Sequence, residues 1–435
     1  MSVTVPVGFK ASGATAGIKP SGKPDLCLIV RDTPDEHGCA FAALFTANFV
    51  VGAPVIVGRR QREQALKGGP APRAVLVNAG NSNAATGQQG VINAEQCMAA
   101  VAGLLGCRGA EVLMSSTGVI GRPLPVEKIL AAVSGLVRGL GRGEAADAAA
   151  AAGIMTTDLV PKTALRQVLI DGRLVSIGAI AKGSGMIAPR LDSAAGPHAP
   201  GSGHPSGTML AFITTDAAIS TPDLQTALEQ AARPCFEAIS VDNHPSCSDT
   251  VVCLSSGRAP WQTPPAKHAD QPMALLRPGT PGFAAFSAAL AAVCEDLSEQ
   301  IVVDGEGATR IFRVEVRGAA TAAACTQIAR EVVNSPLVKC AIHGQDPNWG
   351  RIVTAAGNAG VRFDPEQTSL HIGPVCVYQA GVPVTAALSD PALKAHMAGK
   401  KVHCVLTVGP ADTVGAMIGC DLSKQYVVIN AEYTT

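Results

Sequence analysis

Aromatic side chains are nearly missing from this chain: two Trp, three Tyr and ten Phe serve 435 residues. Its core must therefore come from aliphatic residues and alanine, which favours helices packed closely on sheets. Charge is also scarce, at 16%, and it balances to zero. That leaves no basic field for nucleic acid and no basic helix for a membrane surface. No apolar run reaches the length of a membrane span. The thirteen cysteines contain no C-x-x-C pair and are odd in number. In a chain this long they argue against a disulfide framework or a zinc knot, and for free, mostly buried thiols in a reducing compartment. The nine histidines lack ligand spacing, and His198 and His204 sit in a Pro/Gly-rich stretch where solvation is expected. Neither a metal nor a cofactor is expected. The opening residues, Met1 to Pro6, carry no basic segment followed by an apolar run, so no signal peptide is expected and the default compartment is the cytosol.

What is present is ample apolar material, 47% of the residues, enough for two or three domains or one large two-lobed unit. Short apolar runs alternate with helical periodicity, which predicts a layered α/β architecture with helices outside the sheets. Strands are expected at Leu26–Val30, at Ala74–Val77 and at Glu111–Met114. The second runs into Asn78-Ala79-Gly80-Asn81-Ser82-Asn83, whose composition suits a tight turn with positive φ, either a surface turn or a site lining. The third feeds Ser115–Gly121, a loop able to present a hydroxyl and a free N–H together, the equipment for holding an oxyanion. It could equally be a phosphate cradle, although P-loop spacing and its Lys are absent. Helices are predicted at Ala94–Leu105, from Pro125 with Ile129, Val133 and Leu136 on one face, and at Ala145–Ala152.

The 18 residues between Pro189 and Thr208 are rich in Pro and Gly and predict a mobile surface loop. A second lobe is expected to begin at Thr208 with a buried strand over Met209–Ile213. Thr221-Pro222-Asp223 then reads as a helix start leading to Ile239. Arg258–Gly282 reads as a connection between subdomains. A helix through Phe286, Leu290, Val293 and Leu297 is expected before a strand at Ile301–Val303, followed by Asp304–Arg310, a turn with Glu306 between glycines. Phe312, Val314 and Val316 alternate with charged residues, a half-buried strand. Ile342–Arg351 reads as a polar loop, and Tyr426–Thr435 as a strand and short tail.

Gly207-Thr208 is where chemistry could concentrate. A Thr hydroxyl needs a base beside it to act as a nucleophile. A cut between these residues would free the α-amine of Thr208, whose reference pKa near ~8 suits that task. The same hydroxyl could make the cut, and Gly207 tolerates the strained backbone this requires. By itself a Gly-Thr step opening a strand is commonplace.

Taken together, the Asn78–Asn83 run, Ser115–Gly121, Ile154–Asp158, Ala181–Pro189, Thr208-Met209-Leu210, Asp304–Arg310, Asp346–Arg351 and terminal Tyr433-Thr434-Thr435 resemble the ornithine acetyltransferase family. This is the arginine-biosynthesis family also called bifunctional glutamate N-acetyltransferase. The resemblance spans nearly the whole chain. It implies two sheets between helix layers, related to self-processing aminopeptidases. It implies self-cleavage into an α chain, residues 1–207, and a β chain, 208–435, that stay together as α2β2. Thr208 would take acetyl from N-acetylornithine, or also from acetyl-CoA, and pass it to glutamate. Thr117 and Gly118 would hold the oxyanion, and Thr156, Lys182, Glu306, Asn430 and Thr435 would bind the amino-acid parts. A Lys suits an α-carboxylate, and a carboxylate suits the ornithine ammonium. The chain departs from the family in having Gly207 where Ala is usual, a longer segment before the cut, Asp242-Asn243-His244-Pro245 in place of Asp-Gly-Asp-Thr, and His343. Two alternatives stay open: a self-processing aminopeptidase that hydrolyses its acyl-enzyme, and a non-catalytic binding protein that stays in one piece.

Overall fold

The computed structural model describes residues 1–32, 38–192, 208–263 and 271–432. Contacts divide the described residues into two compact units, Met1–Glu237 with His244–Ile301, and Ala238–Asn243 with the described residues from Val302 to Glu432. In chain order the first unit holds β1 (Phe9–Ala14), β2 (Leu26–Arg31), β3 (Ala40–Phe45), α1 (Ala53–Leu66), β4 (Ala74–Asn81), α2 (Gly87–Leu105) and β5 (Val112–Val119). It continues with α3 (Val126–Arg138), α4 (Glu144–Ile154), β6 (Lys162–Ile170), β7 (Arg173–Lys182), β8 (Leu210–Thr215) and α5 (Thr221–Phe236). The short β9 (Ile239–Ser240) belongs to the second unit, while β10 (Thr250–Ser255) and α6 (Pro281–Val303), as far as Ile301, return to the first.

Two sheets form in the first unit, in the orders β1-β2-β4-β5 and β3-β10-β8-β7-β6. Phe9, Ile29 and Val77 of one share a core with Phe45, Phe212 and Leu254 of the other, together with Ala150, Ala151 and Ile154 of α4. The alanine-rich α4 fits because it is thin: a Cβ on Gly13 or Gly153 would collide with main-chain atoms of Ala149 or Leu26. The opposite face of the first sheet, through Leu28, Leu76 and Met114, buries the apolar stripes of α2 and α3. Small residues thus do the work that the missing aromatics would do elsewhere.

The second unit is built on one seven-stranded sheet. Its elements are β11 (Ile311–Arg317), α7 (Ala322–Asn334), α8 (Pro336–His343), α9 (Trp349–Gly357), β12 (Ser369–Ile372), β13 (Val375–Gln379), β14 (Val382–Pro383), α10 (Pro391–Ala398), β15 (Lys401–Thr407), β16 (Val414–Cys420) and α11 (Lys424–Glu432). The strand order is β14-β13-β12-β15-β11-β16-β9. Val314 and Leu406 of the sheet meet Ile328 and Val332 of α7 in its core.

Several expectations from the sequence change. The lobe boundary does not fall at Thr208, because β8 lies inside the second sheet of the first unit, between β10 and β7. Ser115–Val119 is not a loop but the end of β5, held in parallel register with β4 as far as Gly118 opposite Gly80. Ile301–Val303 forms the last turn of α6 rather than a strand, since Ile301 continues the four-residue spacing from Val293 and Leu297 into the core. Tyr426–Asn430 is helical despite its β-branched run. Ser423 Oγ accepts the Gln425 N–H at its start, and no residue of α11 is buried in the alternating way a strand requires. The cap of α5 is Ser220, one residue earlier than expected, and the helix ends at Phe236, leaving Ile239 to β9. Ile342, His343 and Trp349–Arg351 belong to α8 and α9, which shortens the polar loop. The segment after Arg258 connects elements within the first unit, not between units. Of the proposed mobile loop, Leu191 and Asp192 are buried, with Asp192 paired to Arg62 at 2.8 Å and Arg59 at 3.2 Å. The rest of that loop, residues 193–207, and with it His198, His204 and Gly207, lies outside the described residues, as does Thr435. Among the described residues no helix is long and apolar enough to cross a membrane.

Candidate active site

Strand registry assembles the site within the first unit. β8 pairs antiparallel with β7, setting Lys182 opposite Leu210, and parallel with β10, setting Thr250 opposite Leu210. The residues just ahead of Leu210 and Thr250 therefore share one edge of the sheet. These are Thr208-Met209 and Ser246-Cys247-Ser248-Asp249, all buried.

Lys182, 2% exposed, reaches across this edge. Its Nζ donates to the Thr208 carbonyl oxygen at 2.7 Å and to Thr117 Oγ1 at 3.2 Å. Since that oxygen accepts from an ammonium, the Thr117 hydroxyl keeps its own proton to give to an oxyanion. Thr117 sits on β5, whose position is fixed by the Asn-rich run. Ser116 Oγ donates to Asn78 Oδ1 at 2.6 Å, and Asn78 Nδ2 donates to the Asn81 carbonyl at 2.8 Å. The run is thus a buried brace rather than a surface turn, and Gly80 and Asn83 carry the positive φ it requires. Gly118 has φ +127°, and a Cβ there would strike the Gly80 main chain and come within 2.6 Å of the Asn81 nitrogen. Only glycine fits.

Thr156 is half-buried, and its N–H donates to Asp158 Oδ2 at 3.0 Å. Asp158 Oδ1 accepts from Lys162 Nζ at 2.6 Å and from the Gly183 N–H at 2.7 Å, with both charged side chains fully buried. Burial pushes the Asp158 carboxyl up, but the charges of Lys182 and Lys162 prevail and hold it down at about 2. Asp249 behaves in the opposite way. Burial pushes it up to about 7, against the N–H groups of Met209 and Ser246 and the charge of Lys182. Of the expected site residues, Thr208, Thr117, Gly118, Lys182 and Thr156 lie in this unit. Glu306 and Asn430 meet in the second, where Asn430 Nδ2 donates to Glu306 Oε2 at 2.9 Å. Glu306 is 8% exposed, so its turn is not a solvated one.

The ArgJ family model matches residues 10–435. The chain belongs to the ArgJ family. A relative from Gloeobacter violaceus, the arginine biosynthesis bifunctional protein ArgJ, is 40% identical over all of this chain and 98% of its own length. The protein of the same name from Thermosynechococcus vestitus is 40% identical over the same shares. Among solved structures, ornithine acetyltransferase from Mycobacterium tuberculosis, complexed with ornithine, is 39% identical. The match covers 44% of this chain and 95% of that one, with a TM-score of 0.39. ArgJ membership agrees with the resemblance drawn from the motifs.

The motifs did not single out Ser246, Asp249 or Lys162. The signal was present in part: a run of short polar residues directly before an apolar strand cannot be buried without partners. Which partners they have depends on the parallel pairing of β8 with β10, and that pairing is not local in sequence.

Proposed function

We propose that this arginine-biosynthesis acetyltransferase carries the acetyl group on Thr208, freed as a new chain start by cleavage after Gly207. The observation that supports this reading best is the buried Thr208 tied through Lys182 to the Thr117 hydroxyl. Thr208 Oγ attacks the acetyl carbonyl of N-acetylornithine and its proton passes to the α-amine of Thr208. Thr117 and Gly118 hold the resulting oxyanion. The C–N bond breaks, the departing ornithine nitrogen takes the proton, and acetyl-Thr208 remains. The amine of glutamate then attacks the ester, its surplus proton passes to the Thr208 amine, and the C–Oγ bond breaks. The electron pair stays on Oγ, which recovers the proton. Lys182 and Thr156, with Glu306, Asn430 and Thr435, bind the amino-acid parts of the two substrates.

The α chain is residues 1–207 and the β chain 208–435, associating as α2β2. Sheet pairing supports their staying together after the cut. β8 and β10, from the β chain, are zipped against β7 and β3, from the α chain. Separating them would break two ladders and expose a buried core. Work in the cytoplasm fits the thirteen free thiols.

Denaturing electrophoresis with N-terminal sequencing tests the cut: two pieces are expected, one starting Thr-Met-Leu-Ala. Acetylglutamate formation from N-acetylornithine tests the transfer, and the same assay with acetyl-CoA decides on a second donor. Product analysis with and without glutamate separates transfer from hydrolysis. Thr208→Ala must leave one 44.1 kDa chain without transfer; continued turnover by that variant would refute the acyl-carrier role.

A further inference from the structure

The oxygen of Thr208 has a partner that the mechanism above does not use. Ser246 Oγ lies 3.1 Å from Thr208 Oγ1 and is placed to donate to it. Both residues are buried, Ser246 at 0% and Thr208 at 3% exposure. The Ser246 oxygen is occupied as an acceptor by the Ser248 N–H at 3.0 Å, which leaves its own proton to give. The pair is held from behind by one carboxylate. Asp249 Oδ1 accepts the Met209 N–H at 2.8 Å and Asp249 Oδ2 accepts the Ser246 N–H at 3.2 Å. A single side chain thus fixes the distance between the two hydroxyl-bearing segments. The Ser246 carbonyl is fixed as well, accepting the Thr46 hydroxyl. Buried polar groups bonded this fully hold one geometry, which fixes the direction of the Ser246 hydroxyl.

We propose that Ser246 is a catalytic residue that donates a hydrogen bond to Thr208 Oγ whenever that oxygen carries negative charge, with Asp249 as the positioning residue for the pair. The proposal rests on Thr208 being the acyl carrier and adds a second group to the reacting atom. Charge builds on this oxygen twice in transfer. The first time is as its proton leaves for the α-amine and the C–O bond forms. The second is as the C–Oγ bond of the ester breaks and the electron pair returns to it. It also builds once in self-cleavage, as the hydroxyl attacks the carbonyl of Gly207. Ser246 gives up no proton in these steps; the proton moves between Thr208 Oγ and the Thr208 amine, and Ser246 only stabilises the charge. The hydroxyl already points at Thr208 Oγ, which becomes a stronger acceptor as charge collects there.

The test compares Ser246→Ala, Ser246→Thr, Ser246→Cys and Asp249→Asn with the full-length wild type. Each is read by cleavage half-time and by kcat and KM for acetyl transfer from N-acetylornithine to glutamate. Ser246→Ala is expected to slow cleavage and, once cut, to lose ~10–100-fold in kcat with KM within twofold, as for one charge-assisted hydrogen bond. Ser246→Thr should recover most of the loss, and Ser246→Cys, a weak donor of similar shape, should fall between. Asp249→Asn should lower kcat and leave KM in place. If Ser246→Ala fails to fold, Ser246→Cys carries the test: reduced kcat at an unchanged melting temperature supports the proposal. Cut enzyme with Ala or Cys at 246 and wild-type kcat overturns it. Transfer by Thr208→Ala would instead overturn the acyl-carrier reading itself, so the two failures are distinct.

Discussion

Replacing Asp158 by Asn removes one negative charge from between two buried lysines and changes little else in volume. The native carboxylate accepts Lys162 Nζ at 2.6 Å and two backbone N–H groups, and it feels the charge of Lys182. A carboxyl held at about 2 rather than 3.8 stabilises the folded state by roughly 2–3 kcal/mol at neutral pH. The sign follows from the lowered pKa: the contribution is complete above ~pH 4 and fades as pH falls through about 2. The variant suffers more than this loss, because the positive charges of Lys162 and Lys182 stay buried without the negative charge that offset them, which costs about 3–5 kcal/mol. In a unit of this size that amounts to a fall of about 5–15 °C in melting temperature. Differential scanning calorimetry from pH 7 to pH 3 reads both effects. The gap between wild type and Asp158→Asn should be largest at neutral pH and should narrow below pH 4. Adding Lys162→Met to the variant should recover part of the gap, since one stranded charge is gone. A difference under ~1 kcal/mol at pH 7, or a gap that does not change with pH, would refute the account of this cluster.

Other outcomes follow from single features. Gly118→Ala must force a side chain into the Gly80 main chain at φ +127°, so kcat should fall by ~100-fold or more while the two chains still form; a wild-type rate would remove Gly118 from the oxyanion site. Asp216 accepts the Ser176 N–H at 2.7 Å and is pushed up by burial to about 6. A raised carboxyl penalises the folded state increasingly as pH climbs from ~4 to its folded pKa and not further above it, so melting temperature should rise on acidification from about pH 6 to 4, and less so in Asp216→Asn. Cys340 is the exposed cysteine, and eight others are buried. A maleimide should modify Cys340 first in native protein and all thirteen thiols after denaturation, as read by mass spectrometry. If the chain is cut before Thr208, activity should rise with pH through ~7–8 as the new α-amine loses its proton, and Asp249→Asn should keep this limb; its absence from that variant would remove the chain start as the base.

Much of this protein was legible locally. The alternation of Phe312, Val314 and Val316 and the spacing of Ile129, Val133 and Leu136 fixed element type because burial selects for period, whatever lies on the other side. The motifs named the family, and three of the residues they proposed for the site, Thr208, Thr117 and Lys182, are joined by hydrogen bonds in the structure. Where β-branched runs lie in helices, as at Ile301–Val303 and Tyr426–Asn430, local preference misled, since packing and capping outweigh a few tenths of a kcal/mol per residue. Only the tertiary structure decided that Ser246 and Asp249 stand beside Thr208. They are 38 and 41 residues away along the chain. Their placement is a consequence of one parallel strand pairing, which no pattern within either strand encodes. For the same reason the division of the chain into compact units does not follow its proposed division into two polypeptides. A cut is set by a few residues around one peptide bond, whereas a compact unit is set by which strands find each other.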